Sequence, residues 1–337
     1  MSLRKIVAVL VAVILAGSMV APAQASKKLS IDNISYTKIG KAAFAEVNSQ
    51  LKGKKLITGR AVFIASPNVQ KKELKTERDL VNKAVTIFSK WYLPESFKVV
   101  MFTEKDGQWA DQALIEHGGS FPSKISDEIK KWSQGNGLCN FAFATMRRPG
   151  DSVYYGCTDS QRIRDWTNLQ NPPHEYFHLV QQPYGRLPIW LHEGSATFFG
   201  AAIGHNKISS NGIASKNFYV QTAANFDPDN QGFDHTRFVR TLRSLTPEQS
   251  VKMFRDLEMA NWERGHKLGH YALGALATEV LVGIWGLDKY MSMLKNAGYD
   301  SVNWKASFES TYGLTTDEFY AKLTPFLKTV GERSALR

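Results

Sequence analysis

Residues 171–196 read NPPHEYFHLVQQPYGRLPIWLHEGSA, and the reading of this stretch decides the fold. His174 and His178 are four apart in His174-Glu175-Tyr176-Phe177-His178, an H-E-x-x-H pattern. On an α-helix such positions share a face, so both imidazoles can reach one metal ion. Glu175 lies about 100° further round the helix, where a carboxylate contacts a metal-held water rather than the metal. Taken alone, the five residues also fit two histidines on the surface of a helix. Asn171-Pro172-Pro173 narrows the choice. It is a helix start, with Asn as a cap candidate and prolines whose missing N–H groups cost nothing in a first turn. After the turn Pro183-Tyr184-Gly185, a second helix begins at Pro188 and carries Glu193, fifteen residues beyond His178. Gly194 and Ala196 let that helix pack closely on the first. Two neutral imidazoles and a carboxylate, with a fourth position left to water, are the donor set of a catalytic zinc site.

HEYFH followed by PIWLHEGSA resembles the gluzincin metallopeptidases of the broad peptidase MA-like group. These pair H-E-x-x-H with a W-x-x-E-G-x-A helix that supplies the third ligand. The resemblance is specific over residues 172–202 and looser over Tyr271–Leu287 (YALGALATEVLVGIWGL), which looks like the family's downstream helix. The spacer before Glu193 is shorter than in the thermolysin-like and aminopeptidase branches, and prolines replace the apolar turn common before the first His. The resemblance implies a zincin-like fold, with His174, His178 and Glu193 holding one Zn2+ and Glu175 as general base. It also implies a peptide or protein substrate. In such a site zinc acidifies a water, Glu175 takes the water's proton and passes it to the leaving amine, and the oxyanion needs a further donor. Tyr271 is the first candidate donor, with His266 and His270 behind it; ordinary core packing is the other reading of Tyr271. His266 and His270, also four apart, are a second candidate metal pair, though Gly265 and Gly269 work against a continuous helix there. His192 fits a solvated side chain or a substrate contact. His117, His205 and His235 have no local partners and read as structural. Asp165, Asp234 and Glu263 are candidates to orient a ligand imidazole. No G-x-M-E-N-type amine-binding motif is visible, which leans toward an endopeptidase.

Working outward, Ala61–Ser66 and Phe97–Thr103 read as strands flanking a helix over 71–91. A short helix follows at 109–117, then two β-like runs at 138–145 and 152–158. This describes a small N-terminal α/β subdomain with a twisted sheet, over 26–160. From 161 to 337 the pattern is mainly helical, with candidate helices at 173–182, 188–203, 247–259, 266–284, 287–296 and 316–329. The fold class is therefore α+β, with the active-site cleft between the halves. Asn206–Gly232 reads as a surface excursion. The apolar run Tyr271–Leu287 carries Glu279 and is too short for a membrane span, so a buried helix is expected. Patterning is poor over 26–60, which leaves room for a propeptide.

The first 25 residues are unlike the rest. Arg4-Lys5, the uncharged run Ile6–Val20 and Ala23-Gln24-Ala25 meet the physical requirements of a cleaved signal peptide, with the mature chain starting at Ser26. A permanent anchor helix is the alternative. The expected location is secreted or in the cell envelope. The 337 residues carry 43% hydrophobic and 22% charged side chains, which excludes a disordered chain and a multi-span membrane protein. The net charge of +11 comes from dispersed lysine pairs. It leaves room for weak association with an anionic envelope, but there is no basic helix and no nucleic-acid motif, so no nucleic-acid partner is expected. Cys139 and Cys157 are the only cysteines. In an oxidising compartment they suggest a disulfide closing a loop of about 19 residues, worth roughly 3 kcal/mol in the chain-entropy model; two free thiols or metal ligands are the alternative. The function that competes with peptide hydrolysis is an exported binding or structural protein that keeps the scaffold without turnover.

Overall fold

The computed structural model describes residues 29–136, 139, 141–146, 151–160, 168–204, 219, 234–298 and 303–334. The proposed signal peptide, Asp165, His205 and all of 206–232 except Tyr219 lie outside them. The N-terminal half contains α1 (Tyr36–Ser49), β1 (Ala61–Ala65), α2 (Lys71–Phe88), β2 (Phe97–Thr103), α3 (Gly107–His117), α4 (Ile125–Asn136), β3 (Ala142–Met146) and β4 (Ser152–Thr158). The four strands form one sheet in the order β1-β2-β4-β3. β1, β2 and β4 run parallel, and β3 pairs antiparallel with β4 as an edge strand. This is the expected α/β half, with strand boundaries shifted by a few residues at β3.

Alternation along β2 sorts its side chains between two cores, because successive residues of a strand face opposite sides of the sheet. Phe97, Val99 and Met101 join the main core, with α2 and the helices behind it. Val100 and Phe102 join a smaller core built with Ala110 and Ala113 of α3 and Ile125 and Ile129 of α4. Cys139 and Cys157 are disulfide-bonded, tying the segment before β3 to the end of β4.

The helical half follows: α5 (Asn171–Gln181), α6 (Ile189–Gly204), α7 (His235–Arg243), α8 (Pro247–Glu258), α9 (Trp262–Lys267), α10 (His270–Trp285), α11 (Leu287–Ala297), α12 (Trp304–Tyr312) and α13 (Thr316–Ser334). α5 is entered from a short turn of tighter helix, so Asn171 is its first residue rather than its cap, and no side chain caps it. Pro172 and Pro173 sit in its first turn, where the missing N–H groups would have had no helical partner. α10 is buried along His270–Val282, as expected of a core helix. No single helix among the described residues is long and apolar enough to cross a membrane.

Three differences from the sequence reading have physical causes. The helix expected over 266–284 is broken, because Gly269 adopts φ +76°, the left-handed region that ends α9 and starts α10. α13 runs on to Ser334 through Pro325, and Thr329 donates its hydroxyl to the Pro325 carbonyl. α1, in the stretch whose pattern is poor, is an integral helix: Ile39, Ala43, Phe44 and Val47 are buried in the main core. It is anchored to the helical half by Asn48, whose amide donates to the Ala202 carbonyl, and by Glu46, which accepts from the Leu287 N–H.

Candidate metal centre

Packing brings the motif together. α5 lies between the sheet and α6, with Tyr176 against Phe97, and Phe177 against both Phe88 and Phe199. These anchors turn the His174 and His178 face away from the aromatic core. α6 and α10 cross at two glycines. A Cβ on Gly194 would sit 2.2 Å from the Gly274 Cα, and one on Gly274 would sit 1.9 Å from the Trp190 carbonyl oxygen. Only glycine at both positions permits this approach. It places Glu193, next to the crossing on α6, beside Tyr271, one turn before it on α10.

Three ligand atoms converge as a result. His174 Nε2 and His178 Nε2 are 3.1 Å apart, and Glu193 Oε2 lies 3.5 Å and 3.4 Å from them. Among the described residues, these three form the one group of side chains able to hold a metal ion together. Tetrahedral zinc with nitrogen and oxygen donors at 2.0–2.1 Å needs ligand atoms about 3.3 Å apart, so the spacing fits the ion. The histidine tautomer fits as well. Gln181 donates its amide to the His192 carbonyl and to Ser195 Oγ, each at 2.9 Å, so its oxygen faces His178 Nδ1 at 2.8 Å. His178 therefore carries its proton on Nδ1, leaving the Nε2 lone pair for the ion. Gln181, absent from the sequence-based candidates, orients the His178 ring; of the three candidates for such a role, Asp165 lies outside the described residues. Asp234 instead caps α7, accepting from the Arg237 N–H, and Glu263 lines the cleft.

The charges are strongly coupled. Burial would raise the Glu193 pKa, but the neighbouring His178 and hydrogen bonds from both histidines hold it well below the usual carboxylate range. Burial lowers that of His174. At His178 burial also opposes the charged form, yet Glu193 outweighs it and holds the imidazole up at about 9. Glu175 is buried beside the three. Burial pushes its carboxyl up to about 8, against the pull of His178 and of the Ala144 N–H it accepts from, while Glu193 adds to the rise. Among the described residues, Glu175 Oε2 and His174 Nδ1 have no hydrogen-bond partner.

That Ala144 contact shows how the sheet edge meets the site. Cys157 N–H donates to the Phe141 carbonyl. With the β3–β4 register, Phe141, just before β3, and residues 143 and 145 of β3 therefore bond to β4, while the N–H and C=O groups of Ala142 and Ala144 point outward. Phe141–Ala144, His174, Glu175, His178, Glu193, Trp262 and Tyr271 line one cleft of about 570 Å³.

The remaining expected residues are placed as follows. Tyr271 is buried at the metal cluster, its hydroxyl hydrogen-bonded to Glu193 and accepting from the Trp262 indole N–H at 3.3 Å. His192 stacks on His178 with ring centroids 4.4 Å apart, and its Nε2 lies 3.9 Å from Glu193 Oε1. His266 and His270 lie on separate helices, with rings 6.0 Å apart, and among the described residues no third ligand joins them. His117 ends α3 and His235 begins α7. The chain matches no family model, no curated protein and no solved structure. The reading of the site rests on its own residues.

Proposed function

We propose that the protein is an exported zinc-dependent metallopeptidase of gluzincin type. The observation that carries the proposal is the convergence of His174, His178 and Glu193 at 3.1–3.5 Å with Glu175 buried beside them. A zinc ion held there would polarise a carbonyl oxygen and acidify a water at its open coordination position. Glu175 is the general base. One of its oxygens is fixed by the Ala144 N–H and the other has no protein partner, so it can accept a proton from a water and return it to a leaving nitrogen. Tyr271 is positioned to donate to a carbonyl oxygen that gains charge in the cleft. A peptide substrate is favoured because the edge strand β3 lines the site with the outward N–H and C=O of Ala142 and the C=O of Ala144, a template on which an extended backbone can lie. The lack of a G-x-M-E-N-type amine-binding motif in the sequence leans toward internal cleavage. The signal-like N-terminus, together with a disulfide, supports export, and the basic charge supports loose association with an anionic envelope.

Glu175→Gln tests the reading. The variant is expected to retain zinc while cleavage of a diverse peptide library falls by about 10²–10⁴-fold. A wild type that holds zinc and cleaves no member of the library would instead be a binding or structural protein on this scaffold.

A further inference from the structure

Trp262 takes no part in holding the metal and is not a core residue. It opens α9, whose first turn is capped by the Asn261 side chain accepting from the Arg264 N–H. The indole is 48% exposed, unusual for the largest apolar side chain, yet its N–H reaches inward to the Tyr271 oxygen. Its ring lies parallel to His266 one turn on, with centroids 5.5 Å apart and planes 8° off parallel. The rest of the ring faces the same cleft as β3 and the metal ligands.

A phenol has one proton to donate and two lone pairs. The Trp262 N–H occupies a lone pair, so the Tyr271 proton is directed to the Glu193 side of the oxygen, where the reacting groups lie. Without that donor the hydroxyl loses one of the contacts that fix its rotation about the C–O bond. We propose that Trp262 is the positioning residue for the Tyr271 hydroxyl and that its exposed face is a wall of the cleft against which an apolar side chain of the substrate packs. The inference rests on the metallopeptidase reading for its substrate, but the hydrogen bond can be tested apart from it.

Trp262→Phe keeps a flat ring on His266 and removes only the donor, whereas Trp262→Ala removes both. With a cleaved peptide carrying a large apolar residue beside the scissile bond, Trp262→Phe is expected to lower kcat by about tenfold to a hundredfold with KM nearly unchanged. Trp262→Ala should show the same kcat loss and a KM raised several-fold, and both should hold zinc as the wild type does. In the zinc-free protein, the indole N–H resonance that disappears in Trp262→Phe should move when Tyr271 is replaced by Phe. An unmoved indole resonance, or a kcat for Trp262→Phe equal to the wild type's, overturns the positioning role. An unchanged KM for Trp262→Ala overturns the wall. Where the wild type cleaves no peptide, the metallopeptidase reading has failed, and the indole resonance alone decides whether Trp262 holds the hydroxyl.

Discussion

Asp106 and Glu175 are equally buried, each with 6% of its surface exposed, and the protein treats them in opposite ways. Asp106, between β2 and α3, accepts from Ser66 Oγ, Asn68 Nδ2, and the N–H and hydroxyl of Thr103. Burial alone would raise its pKa, but these donors outweigh it and hold the carboxyl below its ordinary value. Glu175 has one backbone donor and one empty oxygen, and burial takes it up to about 8. A carboxyl with little exposed surface is a structural pin where donors surround it and is pushed toward its neutral form where they are withheld. Asp106 ties the ends of β1 and β2 to the start of α3. Burial keeps the Glu175 carboxyl largely neutral at neutral pH.

The contrast can be broken from either side. The largest effect is expected at the helix crossing that supports the metal site. Gly274→Ala pushes a methyl group into the Trp190 carbonyl, and backbone cannot step aside as a side chain can. A loss of about 3 kcal/mol in urea denaturation is expected, together with weakened zinc binding as Glu193 moves from the histidines. Asp106→Ala should cost about 2 kcal/mol, because buried donors lose their acceptor, while zinc affinity and hydrolysis stay as in the wild type. The pH dependence of that loss has a definite sign. A carboxyl held below its unfolded value of about 3.9 contributes fully above that pH and loses its contribution as the pH falls through the lower folded value. The stability gap between wild type and Asp106→Ala should therefore close in acid and stay constant above about pH 5. A smaller effect is expected at Gln181→Ala, which frees the His178 ring to turn. Zinc affinity should fall by about tenfold in a competition titration with little change in folding stability.

How much of this was legible in the sequence follows the same division. The ligand set was, because H-E-x-x-H and a later Glu193 are charged or metal-binding residues at helical spacing, and the prolines mark where α5 begins. The disulfide was legible from a lone cysteine pair. Gln181 was not: a neutral amide one turn beyond His178 carries no signal until α6 comes to rest against it. Asp106-Gly107 reads as a surface turn, since nothing local reveals that Ser66 and Asn68 arrive from forty residues away. The break at Gly269 was legible in part: Gly265 and Gly269 argue against a continuous helix, although the candidate span 266–284 runs across them. α1 was missed because Ala and Gly dilute its apolar face, although Ser35, which caps it by accepting from the Lys38 N–H, was a local sign of its start. The helices α4, α7 and α12 also went unread, although α7 carries a local pattern: Phe238, Val239 and Leu242 share its buried face behind the Asp234 cap.

The central claim is that two imidazoles of α5 and a carboxylate of α6 share one cation, and metal content measures it directly. Protein purified without chelator, resupplied with zinc and passed through gel filtration should retain about one zinc per chain, and the double variant His178→Ala/Glu193→Ala should retain almost none. A wild type that emerges with well under one zinc per chain, or a double variant that binds as much as the wild type, would contradict the account.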